Sequence, residues 1–211
     1  IQAAADMIRS GSANTILIVD PEICSGHLDF KDRDCHFIFG DVCTAMILEN
    51  KDTANSNNCF EIISTKCITQ FSNNIRNNFG FLNNAKKSSP LDRDLLFMQE
   101  GRKVFKEVVP MVSQLIIDHL NEEKIKIEEI KRLWLHQANK SMNDFIGKKV
   151  LGRVPEEHEQ PNILQDYANT SSAGSIIAFS LYSQDLKSNE VGVLCSFGAG
   201  YSAGSIILKK L

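Results

Sequence analysis

The 211-residue sequence has no CxxC pair, no apolar run near the roughly 20 residues of a membrane span, no basic excess, and a single tryptophan. Each absence narrows the possibilities. Without paired cysteine spacing, Cys24, Cys35, Cys43, Cys59, Cys67 and Cys195 read as reduced core residues of an intracellular protein, not as a disulfide or zinc framework. With a net charge of -3, a pI near 6.0 and scattered Lys and Arg, the chain offers no field for general nucleic-acid binding. Small molecules and proteins are the expected partners. No signal-peptide pattern opens the chain, so the expected location is the cytoplasm, where the sequons at Asn139 and Asn169 carry no weight. What is present, 43% hydrophobic and 23% charged residues, fits a soluble globular protein of one large or two small domains.

Periodicity gives a coarse map. IQAAADMIRSG reads as the end of a helix stopping at Gly11; it has no start signal, so the chain is expected to be truncated at its amino end. TILIVD (15–20) and HFIFGDVCTAMILE (36–49) read as buried strands, EIISTKCIT (61–69) as another, and 70–90 as surface loop. A helical stripe through Val104, Val108, Met111, Val112, Leu115 and Ile116 predicts a helix from about Leu95 to Leu120, kinked or divided at Pro110. LWL (133–135) is a short strand. Ser141 is then expected to cap a helix that carries Met142, Phe145, Ile146 and Val150 on one face and stops near Gly152. The segment 169–183 predicts a helix opened by small residues, and VGVLCSFGAGYSAGSIILKK two strands around a Gly-rich turn.

The order helix, break, strand, Phe-Gly, strand occurs twice. Phe39-Gly40 with Ala45 matches Phe197-Gly198 with Ala203, an offset of 158 positions (39 to 197). This predicts an internally duplicated α/β fold, with residues 1–50 closing an amino-terminal half and 51–211 forming the carboxyl-terminal half. Aligning Thr15 with Val191 puts the first-half counterpart of Asn169 about seven or eight residues before Ile1.

Three groups could carry chemistry. His136, with Gln137 and Asn139, follows a strand, where polar groups leave the core and ligands bind in α/β sheets; taken alone it reads first as a structural histidine. Asn169 stands before Thr170, Ser171, Ser172, Ala173 and Gly174, either as an N-cap or as a ligand group in a close-approach site. The turn Gly198, Ala199, Gly200 either supplies a backbone N–H to an oxyanion or simply meets a hairpin's conformational demand.

As an ordered set these groups say more. His-Gln-Ala-Asn after a strand, Asn-Thr-Ser opening a helix 33 positions later (136 to 169), and a closing Phe-Gly-x-Gly hairpin resemble the β-ketoacyl-ACP synthase III family of the thiolase superfamily. Asp32-Arg33, Phe39-Gly40-Asp41 and GRKVFK (101–106) extend the resemblance across essentially the whole chain, towards the β-ketodecanoyl synthases.

The resemblance implies a thiolase-like αβαβα layered fold with the amino-terminal half largely missing, homodimeric at full length. It implies decarboxylating Claisen condensation of an acyl-CoA primer with malonyl-ACP in fatty-acid or related biosynthesis, with no cofactor beyond these thioesters and acyl carrier protein as partner. His136 and Asn169 match the catalytic His and Asn; Gly198, Ala199 and Gly200 the oxyanion turn; Arg33, Arg102, Phe105 and Asn139 the substrate-binding positions.

Two departures stand out. Ala199 replaces the central glycine, which restricts φ, and Ser141 replaces an arginine. The nucleophilic cysteine is expected upstream of Ile1, so the chain alone is expected to be inactive. Cys43 and Cys195 are expected to be core residues. The alternatives are a non-catalytic partner subunit, or a thiolase or hydroxymethylglutaryl-CoA synthase type of enzyme.

Overall fold

The computed structural model of the protein describes residues 1–54, 56, 58–77 and 92–211. In chain order these form α1 (Gln2–Arg9), β1 (Thr15–Glu22), β2 (Val42–Glu49), β3 (Phe60–Thr69), β4 (Ile75–Arg76), β5 (Met98–Gln99), α2 (Gly101–Glu122), β6 (Ile130–Leu135), α3 (Lys140–Leu151), α4 (Leu164–Tyr167), α5 (Ala173–Leu181), β7 (Val191–Gly198) and β8 (Ser202–Lys210). No described helix is long and apolar enough to cross a membrane.

Among the described residues two larger sheets alternate with two helix layers, and β4 and β5 form a third, two-stranded sheet. β1 and β2 pair antiparallel; the main sheet runs β3-β8-β7-β6, with β6 parallel to β7 and the other pairs antiparallel. α1 and α5 lie between the sheets, and α2 and α3 cover the other face of the main sheet, where Val108, Val112, Ile116 and Ile146 meet Leu133, Leu135 and Val193. α1 leads into β1 and β2 as α5 leads into β7 and β8, and Thr15 pairs with Glu49 where Val191 pairs with Lys209.

Several expectations need correction. β1 and β2 are not buried strands. Ile16, Ile18, Met46 and Leu48 pack on α1, whereas Leu17, Val19 and Ile47 on the opposite face are more than half exposed, because no described layer covers it. Cys43 lies on that outer face and is exposed, so it is not a core residue, as Cys67 is not either; Cys24, Cys35 and Cys195 are buried.

Residues 36–38 form a 3₁₀ turn, and β2 begins only at Val42. Phe39-Gly40 therefore precedes its strand, while Phe197-Gly198 ends one. Gly40 is required by proximity: a Cβ there would stand 2.7 Å from the Tyr167 carbonyl oxygen.

α2 runs unbroken through Pro110 and starts at Gly101, after a 3₁₀ turn at Arg93–Leu95. Pro110 and Lys106 are exposed, so the carbonyl that loses its N–H partner faces solvent and the helix tolerates the loss. Within the segment expected as loop, 78–91 lie outside the described residues, and Ile75–Arg76 pairs with Met98–Gln99.

Asn139, not Ser141, caps α3, its Oδ1 accepting from the Met142 N–H at 2.8 Å. Phe145 leaves the buried stripe, half exposed, and meets Phe105 edge-on at 5.5 Å. The helix stops at Gly152 in the left-handed conformation (φ 70°), as predicted.

The tryptophan anchors the layer between the sheets. Trp134 is fully buried, edge-on to Phe179 (4.9 Å) and Phe60 (6.1 Å), and its indole N–H donates to the Tyr182 carbonyl at 3.0 Å. Gly192 on β7 leaves room for the ring, since a Cβ there would lie 2.3 Å from it.

Candidate active site

β6 delivers His136 to the edge of the core. Its backbone N–H donates to the Cys195 carbonyl at 2.7 Å, extending the β6–β7 ladder by one residue, and its ring stands edge-on to Phe197 at 4.7 Å. The imidazole is 6% exposed, and Nδ1 is buried without a partner. Unpaired buried polar atoms are rare and mark places where water or a ligand group completes the bonding. Burial pushes the pKa of His136 down to about 4, against the opposing pull of a hydrogen bond to the Ser171 backbone and the Glu22 charge. At neutral pH the ring is therefore neutral.

This has a measurable consequence. Between its ordinary value of 6.5 and about 4, His136 binds a proton in the unfolded chain but not in the folded one, so stability falls as pH drops through that window. At ~1.4 kcal/mol per tenfold change in proton affinity the loss is roughly 3 kcal/mol. Burial also depresses the pKa of His119, held between Ser205 and Ser64, which adds in the same direction. Urea unfolding at pH 7 and pH 4 should show a smaller acid loss in His136→Asn than in the wild type; equal losses would refute the assignment.

Asn169 does not cap α5; Ser172 occupies that position. The backbone of Asn169 is bolted to the 38–40 segment, its N–H donating to the Ile38 carbonyl (2.8 Å) and its carbonyl accepting from the Gly40 N–H (3.0 Å), a parallel bridge to Phe39. Its side-chain Oδ1 accepts from the Ser171 N–H at 3.0 Å, which fixes the carboxamide and leaves the NH₂ for a ligand. Ala168 (φ 58°) and Ser171 (φ 52°) flank it in conformations that L-residues seldom adopt. Such strained neighbours persist where surrounding contacts over-determine them. His136 reaches the same turn through Ser171, so the imidazole and the carboxamide converge on it.

Gln137, between His136 and Ala138, is structural. Fully buried, it donates from Nε2 to the Leu135 carbonyl at 2.9 Å and accepts at Oε1 from the Ile163 N–H at 3.1 Å. The small residues opening α5 serve this packing: a Cβ on Gly174 would lie 3.1 Å from that of Gln137.

The Gly198, Ala199, Gly200 turn begins one residue after Phe197, the neighbour of His136. Positive φ falls on Gly200 (134°) and not on Ala199, so the alanine meets no conformational penalty there. The turn is braced: the Gly200 carbonyl accepts from the Ser72 N–H (2.6 Å), and the buried Tyr201 hydroxyl donates to Glu107 (2.7 Å).

The other sequence candidates lie apart. Arg33 and Arg102 are exposed and make no ion pair among the described residues; Phe105 packs on Phe145, and Asn139 is the exposed cap of α3. No hydrogen bond, ion pair or ring contact links these four to His136 or Asn169 among the described residues. Burial pushes the thiols of Cys24 and Cys35 up to about 11 and that of Cys195 to about 12, the opposite of activation. An apolar cleft of about 650 Å³ lies elsewhere, between α1, β2 and the main sheet, lined by Ala5, Met46, Leu48, Phe60 and Phe179 among others.

Sequence reasoning missed Asp20 and Glu22. Both lie on the inward face of β1 in register with Ile16 and Ile18, and acids at the end of an inward stripe were the available signal. The Glu22 carboxylate accepts from the Ser172 N–H (3.0 Å) and hydroxyl (2.6 Å), and that of Asp20 from the same hydroxyl at 3.0 Å.

The chain is similar to known proteins along most of its length. Residues 1–70 match the family model 3-oxoacyl-[acyl-carrier-protein (ACP)] synthase III, and residues 120–210 the model of its C-terminal part. The β-ketodecanoyl-[acyl-carrier-protein] synthase of Pseudomonas aeruginosa is 61% identical over 210 residues, covering 100% of this chain and 60% of that protein. The β-ketoacyl-[acyl-carrier-protein] synthase III of Clostridium perfringens is 30% identical, over 99% of this chain and 63% of its own. The crystal structure of the synthase III from Aquifex aeolicus superposes with a TM-score of 0.81 at 23% identity, over 99% of this chain and 62% of that one. The chain thus spans about 60% of the length of the curated relatives it matches. With both parts of one family matched in order along a mixed α/β thiolase-like fold, the chain belongs to the 3-oxoacyl-[acyl-carrier-protein] synthase III family.

Proposed function

We propose that these residues form the decarboxylating side of a condensing acyltransferase, joining an acyl-CoA primer to malonyl-ACP in fatty-acid or related biosynthesis. The observation that carries the reading is a buried, neutral imidazole with its Nδ1 unpaired, beside a carboxamide whose oxygen is already engaged, so that the carboxamide NH₂ and, in the tautomer that protonates Nδ1, the ring offer N–H groups and neither offers an acid. Such donors act on the thioester oxygen of the malonyl group. As the C–C bond to the carboxylate breaks, its electron pair passes into the thioester, the oxygen gains negative charge, and the two N–H groups stabilise the enolate. A cationic imidazole would instead protonate the carbanion before it attacked the acyl group. The enolate carbon then bonds to the acyl carbonyl carbon and the thiolate leaves; the backbone N–H groups of the Gly198, Ala199, Gly200 turn stabilise that second oxyanion.

The acyl-carrying thiol in this proposal comes from outside the 211 residues. The raised pKa values of Cys24, Cys35 and Cys195, and the position of Cys43 on the outer strand face, support that reading. Arg33 and Arg102 serve the CoA or carrier-protein end, Arg33 near the adenine, with Phe105 and Asn139 along the pantetheine path. Residues 1–50 belong to one pseudo-symmetric half and 51–211 to the other, and the full-length protein acts as a cytoplasmic homodimer.

Two assays test the proposal. The 211-residue chain incubated with radiolabelled acyl-CoA should take up no stable label, and a labelled cysteine would contradict the assignment of the nucleophile. The protein at its relatives' full length should release carbon dioxide from malonyl-ACP; condensation with an acetyl donor instead would make it a non-decarboxylating thiolase type.

A further inference from the structure

We infer that Glu22 is a positioning residue for the His136 and Asn169 pair, an inference that rests on the proposed condensing function. Glu22 is the last residue of β1, and the strand's alternation turns it inward. From there it reaches a residue 150 positions away in the chain, accepting from both the Ser172 N–H at 3.0 Å and the Ser172 hydroxyl at 2.6 Å. The hydroxyl carries one proton and also faces Asp20 at 3.0 Å, so it can serve only one carboxylate at a time. Among the described residues the backbone N–H has Glu22 alone. That bond is the fixed one.

Ser172 is the N-cap of α5, yet its own side chain makes no cap bond. Glu22 supplies a carboxylate in its place, where negative charge is favoured by the helix dipole. The residue before Ser172 is Ser171, at φ 52°, whose N–H bonds the Asn169 carboxamide and whose backbone meets the His136 ring. A contact chain therefore runs from Glu22 through Ser172 and Ser171 to both proposed donors. Glu22 touches neither substrate nor reacting atoms in this scheme; it holds the turn that aims them. Its charge also favours protonation of the imidazole, so a neutral replacement leaves the ring neutral and separates positioning from charge.

The test uses the protein at its relatives' full length, with Glu22→Ala and the milder Glu22→Gln, which keeps one acceptor oxygen. A 1 Å misplacement of reacting groups costs about 10²-fold, so Glu22→Ala should lower the rate of carbon dioxide release from malonyl-ACP by roughly 10- to 100-fold. Acyl transfer from acyl-CoA should change far less, and Glu22→Gln should fall between. If Glu22→Ala does not fold, Glu22→Gln carries the comparison. Equal loss in both half-reactions, or no loss in either, would overturn the inference. An activity-independent readout separates it from the function: the Asn169 side-chain amide and His136 ring resonances should shift in Glu22→Gln. If the wild type releases no carbon dioxide but these resonances shift, the condensing function fails and the positioning role stands. Unchanged resonances overturn the positioning role whatever the activity.

Discussion

His136→Ala, made in the protein at its relatives' full length, is expected to lower malonyl-ACP decarboxylation by about 10²- to 10³-fold, the usual cost of losing one oxyanion donor. Acyl transfer to the proposed upstream thiol should survive. The division follows from geometry: the ring meets the Asn169 turn through Ser171, while the donors proposed for the acyl-transfer oxyanion are backbone groups of a turn braced independently by Ser72 and Glu107. Truncation removes an N–H and opens a pocket beside Phe197, but it takes no hydrogen bond from that turn. Timing carbon dioxide release against single-turnover acylation checks both limbs. If the two rates fell together, the separation of roles would be wrong.

Trp134→Ala is expected to destabilise the fold by about 3–5 kcal/mol, the range for removing a large buried aromatic. Three features put it in that range. The ring is fully buried, two aromatic edges pack on it, and its N–H satisfies the Tyr182 carbonyl, which also accepts from Arg132. Gly192 cannot fill the space left, having no side chain. Trp134 is the only tryptophan, so the variant must be followed by circular dichroism during urea unfolding, while indole emission serves for the wild type. A loss below about 1 kcal/mol would mean that the layer between the sheets collapses into the void more readily than cores usually do.

Much of the fold was legible because its signals are local. The β7–β8 hairpin, the left-handed stop at Gly152 and the short helix ending before Gly11 each follow from a few adjacent residues. The errors came where the three-dimensional setting, near or distant in the chain, decided the matter. Apolar residues on both faces of β1 and β2 suggested burial, but only the face against α1 is covered. Ser141 offered a cap in a segment where Asn139, two residues earlier, had the geometry. Pro110 marked a break that the solvent side of α2 absorbs.

The site divides in the same way. The order and spacing of His136, Asn169 and the Gly198 turn could be read along the chain, since these residues follow strands or precede a helix. How they are aimed could not. The aim depends on Glu22 and Ser172, 150 positions apart, on two strained residues around Asn169, and on a bridge to Phe39 that no periodicity announces.

That bridge joins the backbone of Asn169 to the segment carrying Arg33. Residues 38–40 exchange backbone hydrogen bonds with Asn169, and the Tyr167 carbonyl lies so close to Gly40 that no side chain fits between the two segments. If Asn169 is the proposed donor, a ligand that ordered residues 23–41 would prepay part of the entropy of holding it in place, and by reciprocity a substrate bound there would tighten that ligand's grip by the same factor.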